Sequence, residues 1–173
     1  MHDELKYRLK QAGQSGKDFW AIVNQVKKDR INDDALLEQI ANISQQRFRE
    51  NVSFTLSIPA GNLLEGVTTI AAIVLAYQMS SEWMLYLSTL ILMTTLHPLS
   101  HYIIGSLLGI RFTHYYLNGP AKIEPTLKID YFSYLKAPGK KRALMHISGV
   151  IGTVAAPLII ALIALDKGAG SVA

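Results

Sequence analysis

The sequence predicts an all-α membrane protein: three transmembrane helices, a small cytoplasmic β-hairpin in the link before the third, and an N-terminal helical cytosolic module. Three observations predict it. Apolar stretches lie at about 61–79, 83–110 and 144–165, and the last two contain no Lys, Arg, Asp or Glu. A spanning helix needs about 20 predominantly apolar residues, which each stretch approaches or exceeds. Residues 1–53 are polar by contrast, holding nine of the seventeen Lys+Arg and eight of the thirteen Asp+Glu. Positive charge is also one-sided, since sixteen of the seventeen Lys+Arg fall in 1–53 or in the 111–143 link.

In the polar segment, Phe19, Ile22, Val23 and Val26 recur at the spacing of one helix face, and Leu36, Leu37, Ile40 and Ile43 repeat the pattern. Asn32 and Asp33 stand where the second helix needs an N-cap, and Gly13 and Gly16 punctuate the start. The expectation is a cytosolic module of two or three short helices, 1–53, ahead of a membrane domain, 54–173. A basic start followed by an apolar run, the mark of a signal peptide, is missing from it.

The first apolar stretch is interrupted only by Asn62 and Glu65. The second is 28 residues long, enough to tilt or kink, and Pro98 lies at its middle. Tyr77, Trp83 and Tyr86 sit where interfacial aromatics are expected. In the link, Phe112–Leu117 reads as a strand, Asn118-Gly119-Pro120 as a turn, and 121–123 and 127–131 as short strands flanking Pro125. In the third stretch, Gly149, Gly152, Ala155 and Ala156 invite close helix packing, as does Gly105-x-x-x-Gly109 in the second.

With three spans, 1–53 and the link share a side. The positive-inside bias puts that side in the cytoplasm and the C-terminus outside. The net charge of +4 is therefore a topology signal, and the expected partners are a lipid bilayer and a transmembrane protein or second copy, with no nucleic acid. The chain has no Cys, which excludes disulfides, thiolate nucleophiles and cysteine metal sites. Phosphate-binding glycine loops and G-x-S-x-G elbows are also missing.

The chemistry concentrates in His97-Pro98-Leu99-Ser100-His101. Imidazoles at i and i+4 lie on one helix face and can reach one metal ion, Zn being the expected cofactor. Ionisable residues inside a span are costly and mark function. The bland alternative is two neutral His bonded to neighbouring helices, beside Thr94, Thr95 and Ser100. A third ligand can be weighed by depth at about 1.5 Å per residue. His101 is roughly 13 Å from the inner end of its span, Glu65 about 6 Å and His146 about 3 Å. Glu65 is then the expected third ligand, and His114 belongs to the hairpin.

The pair His97-x-x-x-His101, the run Leu107-Leu108-Gly109-Ile110-Arg111, a hairpin, Lys140-Lys141-Arg142, and a span opening Met145-His146-Ile147-Ser148-Gly149 together resemble the site-2 protease family of intramembrane zinc metallopeptidases. The resemblance covers roughly Leu90 to Leu165. It implies that His97 and His101 are zinc ligands. In the family's His-Glu-x-x-His motif the Glu activates the attacking water, and Pro98 takes that position here. Hydrolysis without a general base loses roughly 10²–10⁴-fold. The family's Gly-Pro pair and Asn are matched only at Gly149, with Val150 and Thr153 in the other places. Its third ligand is an Asp of a later span. The sequence stops soon after Leu165, so that span is expected to be lacking, and Asp166 is expected at the outer surface. The implied function is a catalytically impaired, site-2-protease-like pseudoenzyme that binds metal and a membrane partner. The alternatives are an active metallopeptidase with an unconventional base or an oligomeric site, and a metal-free membrane adaptor.

Overall fold

A computed structural model describes residues 5, 7, 9, 16–79, 81–119 and 122–168. Gly13 and Pro120, named above, lie outside them. From residue 16 the described chain runs through two helices, α1 (Gly16–Asp29) and α2 (Asp34–Asn51). The apolar stripes read from the sequence are their buried faces: Phe19, Ile22, Val23, Val26, Leu36, Leu37 and Ile40 are all almost fully buried. Asp33 caps α2 by accepting from the Leu36 N–H at 3.0 Å. These helices do not form a free-standing hairpin. Their core continues into Ile110, Tyr134, Leu135 and Met145, residues of the link and of the third long helix.

Three long apolar helices follow: α3 (Ile58–Gln78), α4 (Glu82–Leu107) and α6 (Gly139–Asp166). Each is long and apolar enough to cross a membrane. The bounds exceed the expected stretch at the start of α3 and α6, because a helix continues beyond the last residue that must be apolar. Helix α4 packs against both of the others, most extensively against α6. Thr69 donates to Thr95 across the α3–α4 contact at 2.8 Å. Lys167, just past α6, donates to the carbonyls of Ala76 (3.2 Å) and Met79 (2.7 Å), a cation at the carbonyl end of α3. The C-terminal end of α6 and the α3–α4 turn therefore share one end of the bundle, opposite α1 and α2.

Helix α4 closes in a Schellman turn: Ile110 N–H reaches Gly105 C=O at 2.9 Å and Gly109 N–H reaches Ser106 C=O at 3.0 Å. Gly109 supplies the left-handed residue, φ 84°. This corrects the reading of Gly105 and Gly109 as a packing pair. Only Gly105 packs, since a Cβ there would lie 2.6 Å from the Phe112 ring, whereas one at Gly109 would meet nothing.

The link also departs from expectation. It carries β2 (Phe112–Asn118), β3 (Glu124–Ile129) and a one-and-a-half-turn helix, α5 (Tyr131–Lys136). With β1 (Thr55–Ser57) they make a three-stranded antiparallel sheet in the order β1-β2-β3 rather than a lone hairpin. Pro125 does not separate two strands. It sits inside β3, opposite Leu117, as an edge strand permits. Tyr131 opens α5, where Asp130 accepts from the Phe132 and Ser133 N–H groups, both at 3.3 Å. The sheet is pinned on α3: the Tyr115 ring packs where a Gly61 side chain would be, and its hydroxyl donates to Asn62 at 2.8 Å.

Candidate functional site

His97 and His101 lie on the face of α4 that meets α6. Pro98 sits between them and does not part them: the ring centroids are 4.6 Å apart and the two Nε2 atoms 3.1 Å apart. The far nitrogen of each ring is held by α6. His101 Nδ1 lies 2.6 Å from the Met145 carbonyl, which can only accept, so Nδ1 carries the hydrogen. His97 Nδ1 lies 2.9 Å from Thr153 Oγ1. Thr153 Oγ1 is also placed to donate to the Gly149 carbonyl at 3.1 Å.

That hydroxyl has one hydrogen, and its direction decides the state of the pair. If it goes to Gly149, Thr153 accepts from His97 Nδ1–H. Both Nε2 atoms then present lone pairs to each other at 3.1 Å, an arrangement that needs a cation between them. If it goes to His97 Nδ1, His97 Nε2–H donates to His101 Nε2, and the pair closes on itself.

Glycines bring α6 this close. A methyl at Gly149 would overlap the His101 ring, and one at Gly152 would lie 2.5 Å from Ser100 Oγ and 2.6 Å from the Leu96 carbonyl. Ser148 adds a hydroxyl placed to donate to the carbonyls of Met145 (2.6 Å) and Ser100 (3.1 Å). The small residues of the third stretch thus set the approach on which the imidazoles depend.

The rings line a cleft of about 410 Å³ between α4, α6 and β3. Its walls are mostly apolar, including Met93, Phe112, Leu127, Ile129 and Met145, with Glu124 and His146 among the polar members. Glu65, the expected third ligand, is not brought to the pair. It is buried on α3 and does not line the cleft. The reason is rotational. Thr95 faces α3, and His97, two residues on, points about 200° away around the helix. Among the described residues, no three His, Asp or Glu side chains stand close enough to hold one metal ion.

Sequence depth undervalued His146. Its ring stands edge-on to His101, centroids 6.1 Å apart, and its Nε2 is 2.9 Å from the Tyr134 hydroxyl. The available signal was its position beside Met145 on the helix that buttresses the pair. His114 lies in β2 against Phe48, as expected of a hairpin residue. Asp166 ends α6 at the far end of the bundle. Comparison with family models, with curated proteins and with solved structures finds no match to this chain.

Proposed function

We propose that this chain is an integral membrane protein of site-2-protease-like design that binds a divalent metal, zinc by preference, through His97 and His101. In this reading it has lost peptidase chemistry and uses the cleft to bind a segment of a membrane partner. One observation carries the metal reading: two Nε2 atoms converge at 3.1 Å while each Nδ1 is engaged by α6. Two zinc–nitrogen bonds of about 2.1 Å at a tetrahedral angle span roughly 3.4 Å, so the pair fits the ion with little movement. The bond from His101 Nδ1 to the Met145 carbonyl fixes the tautomer that leaves its Nε2 free for a metal, and His97 does the same when the Thr153 hydroxyl donates to Gly149. Zinc here would lower the pKa of a bound water. Pro98 offers no group to take that water's proton, and the peptide-cutting step has no base.

Membrane insertion is supported by the apolar residues that α3, α4 and α6 turn outward, among them Leu63, Val67, Ile70, Ile103, Val154 and Leu158. Trp83 and Tyr86, exposed and edge-to-face at 6.2 Å, stand at the bundle end where an aromatic belt is expected. The charge asymmetry orients α1, α2 and the sheet toward the cytoplasm and the α3–α4 turn outward. A partner segment is suited to the cleft because one wall is β3, the edge of the sheet. An edge strand offers unpaired backbone groups to an extended chain.

The test is the metal content of protein purified in detergent near neutral pH. Wild-type protein is expected to take up zinc on dialysis, and His97→Ala and His101→Ala to lose that uptake. Metal-free wild-type protein that also takes up none on dialysis against zinc would favour the second reading. In that reading the Thr153 hydroxyl donates to His97, the imidazoles bond to each other, and the chain is a metal-free adaptor.

A further inference from the structure

We infer that His146 is a withheld third ligand for this site, and that Tyr134 is the latch that withholds it. The inference rests on the metal reading of His97 and His101. Two protein ligands make a poor zinc site, since catalytic sites use three and structural sites four. The nearest addition is not the acid that depth suggested but His146. It lines the same cleft, one residue from the carbonyl that orients His101, with its ring edge-on to that ring at 6.1 Å. What occupies its Nε2 is the Tyr134 hydroxyl at 2.9 Å, and in either tautomer that bond withholds this nitrogen from a metal.

Tyr134 is itself held from the cytosolic end. It belongs to α5, and it is buried in the core that includes Phe19, Val23 and Leu37. Lys27 of α1 lies over its ring at 5.1 Å and Arg142 at 5.6 Å. Lys136, two residues on, pairs with Asp34 of α2 at 2.9 Å. Helices α1 and α2 therefore fix the tyrosine that engages His146. Loosening their grip on α5 releases the histidine toward the pair and raises metal affinity. The N-terminal module becomes the regulator of the site.

Tyr134→Phe tests this, because it keeps the packed ring and removes only the hydroxyl. Cobalt(II) is titrated into the full chain in detergent, with visible absorption reporting its coordination. Tyr134→Phe is expected to tighten binding by about ten-fold or more, the scale on which partners of a ligand act. Adding His146→Ala is expected to abolish the gain, and His97→Ala to abolish binding. Binding that needs His97 but ignores Tyr134 and His146 overturns the latch and leaves the pair. No cobalt bound by wild type or by Tyr134→Phe overturns both. Thermal unfolding of each variant separates loss of a ligand from loss of the fold.

Discussion

At the scale of single residues, chemistry and charge are decided by what each side chain faces. Pro98 faces the interior between two imidazoles and brings no proton acceptor. Pro98→Glu is expected to leave peptide hydrolysis undetectable in an assay with a membrane peptide, because among the described residues no third His, Asp or Glu joins the imidazole pair closely enough to complete a metal site. Robust cleavage by that single variant would sink the account of a two-ligand site. Lys128 of β3 gives a pH signature. Its ammonium donates to Ser44 at 2.6 Å and lies between the Phe48 and Tyr131 rings, and burial pulls its pKa down to about 8 against the opposing pull of Asp130. Between about pH 8 and 10 the unfolded chain still holds a proton that the folded chain has released, so stability rises with pH there. Above that window buried tyrosines such as Tyr131, pushed up to about 12, reverse the trend, because the unfolded chain then loses protons first. Unfolding followed from pH 7 to 11 should show this rise and fall, with the rise removed by Lys128→Met. The His97–His101 pair was legible in sequence because i, i+4 spacing in an uncharged run leaves few other readings. Glu65 misled because depth along a helix says nothing of which way round it a side chain points.

Elements were legible where a period or a cap marks them. Helices α1 and α2 follow their apolar stripes, and Asp33 begins α2 where a cap was expected. Strand β1 was not legible, since three residues, Thr55–Ser57, are too few to show alternation. The helix α5 was passed over because Tyr131 continues the apolar pattern of β3, although Asp130 marks a helix start. The contact between α4 and α6 is the element-level device on which the site depends, and Gly149 tests it. Gly149→Ala is expected to force His101 aside, cost about 1–3 kcal/mol as overpacking does, and reduce metal uptake. Calorimetry and metal content of the detergent-solubilised variant read both effects. A variant with wild-type stability and wild-type zinc would contradict the packing described for His101.

For the whole molecule, the polarity of the bundle was readable from where the charges lie, because cations avoid the apolar stretches and gather at one end. How the polar and apolar parts join was not readable, because that depends on side chains from distant segments sharing one core. The chain's lack of Cys makes orientation directly measurable. A single Cys at Gln46 is expected to react with an impermeant thiol reagent only after inside access is opened, and one at Glu82 from outside. The reverse pattern would overturn the orientation. The join also has a mechanical consequence through Met145. Its side chain is a member of the core that contains Phe19 and Leu37, and its carbonyl oxygen orients His101. One peptide unit thus joins the core of α1 and α2 to the His101 ring, so a displacement of that core is transmitted directly to the imidazole.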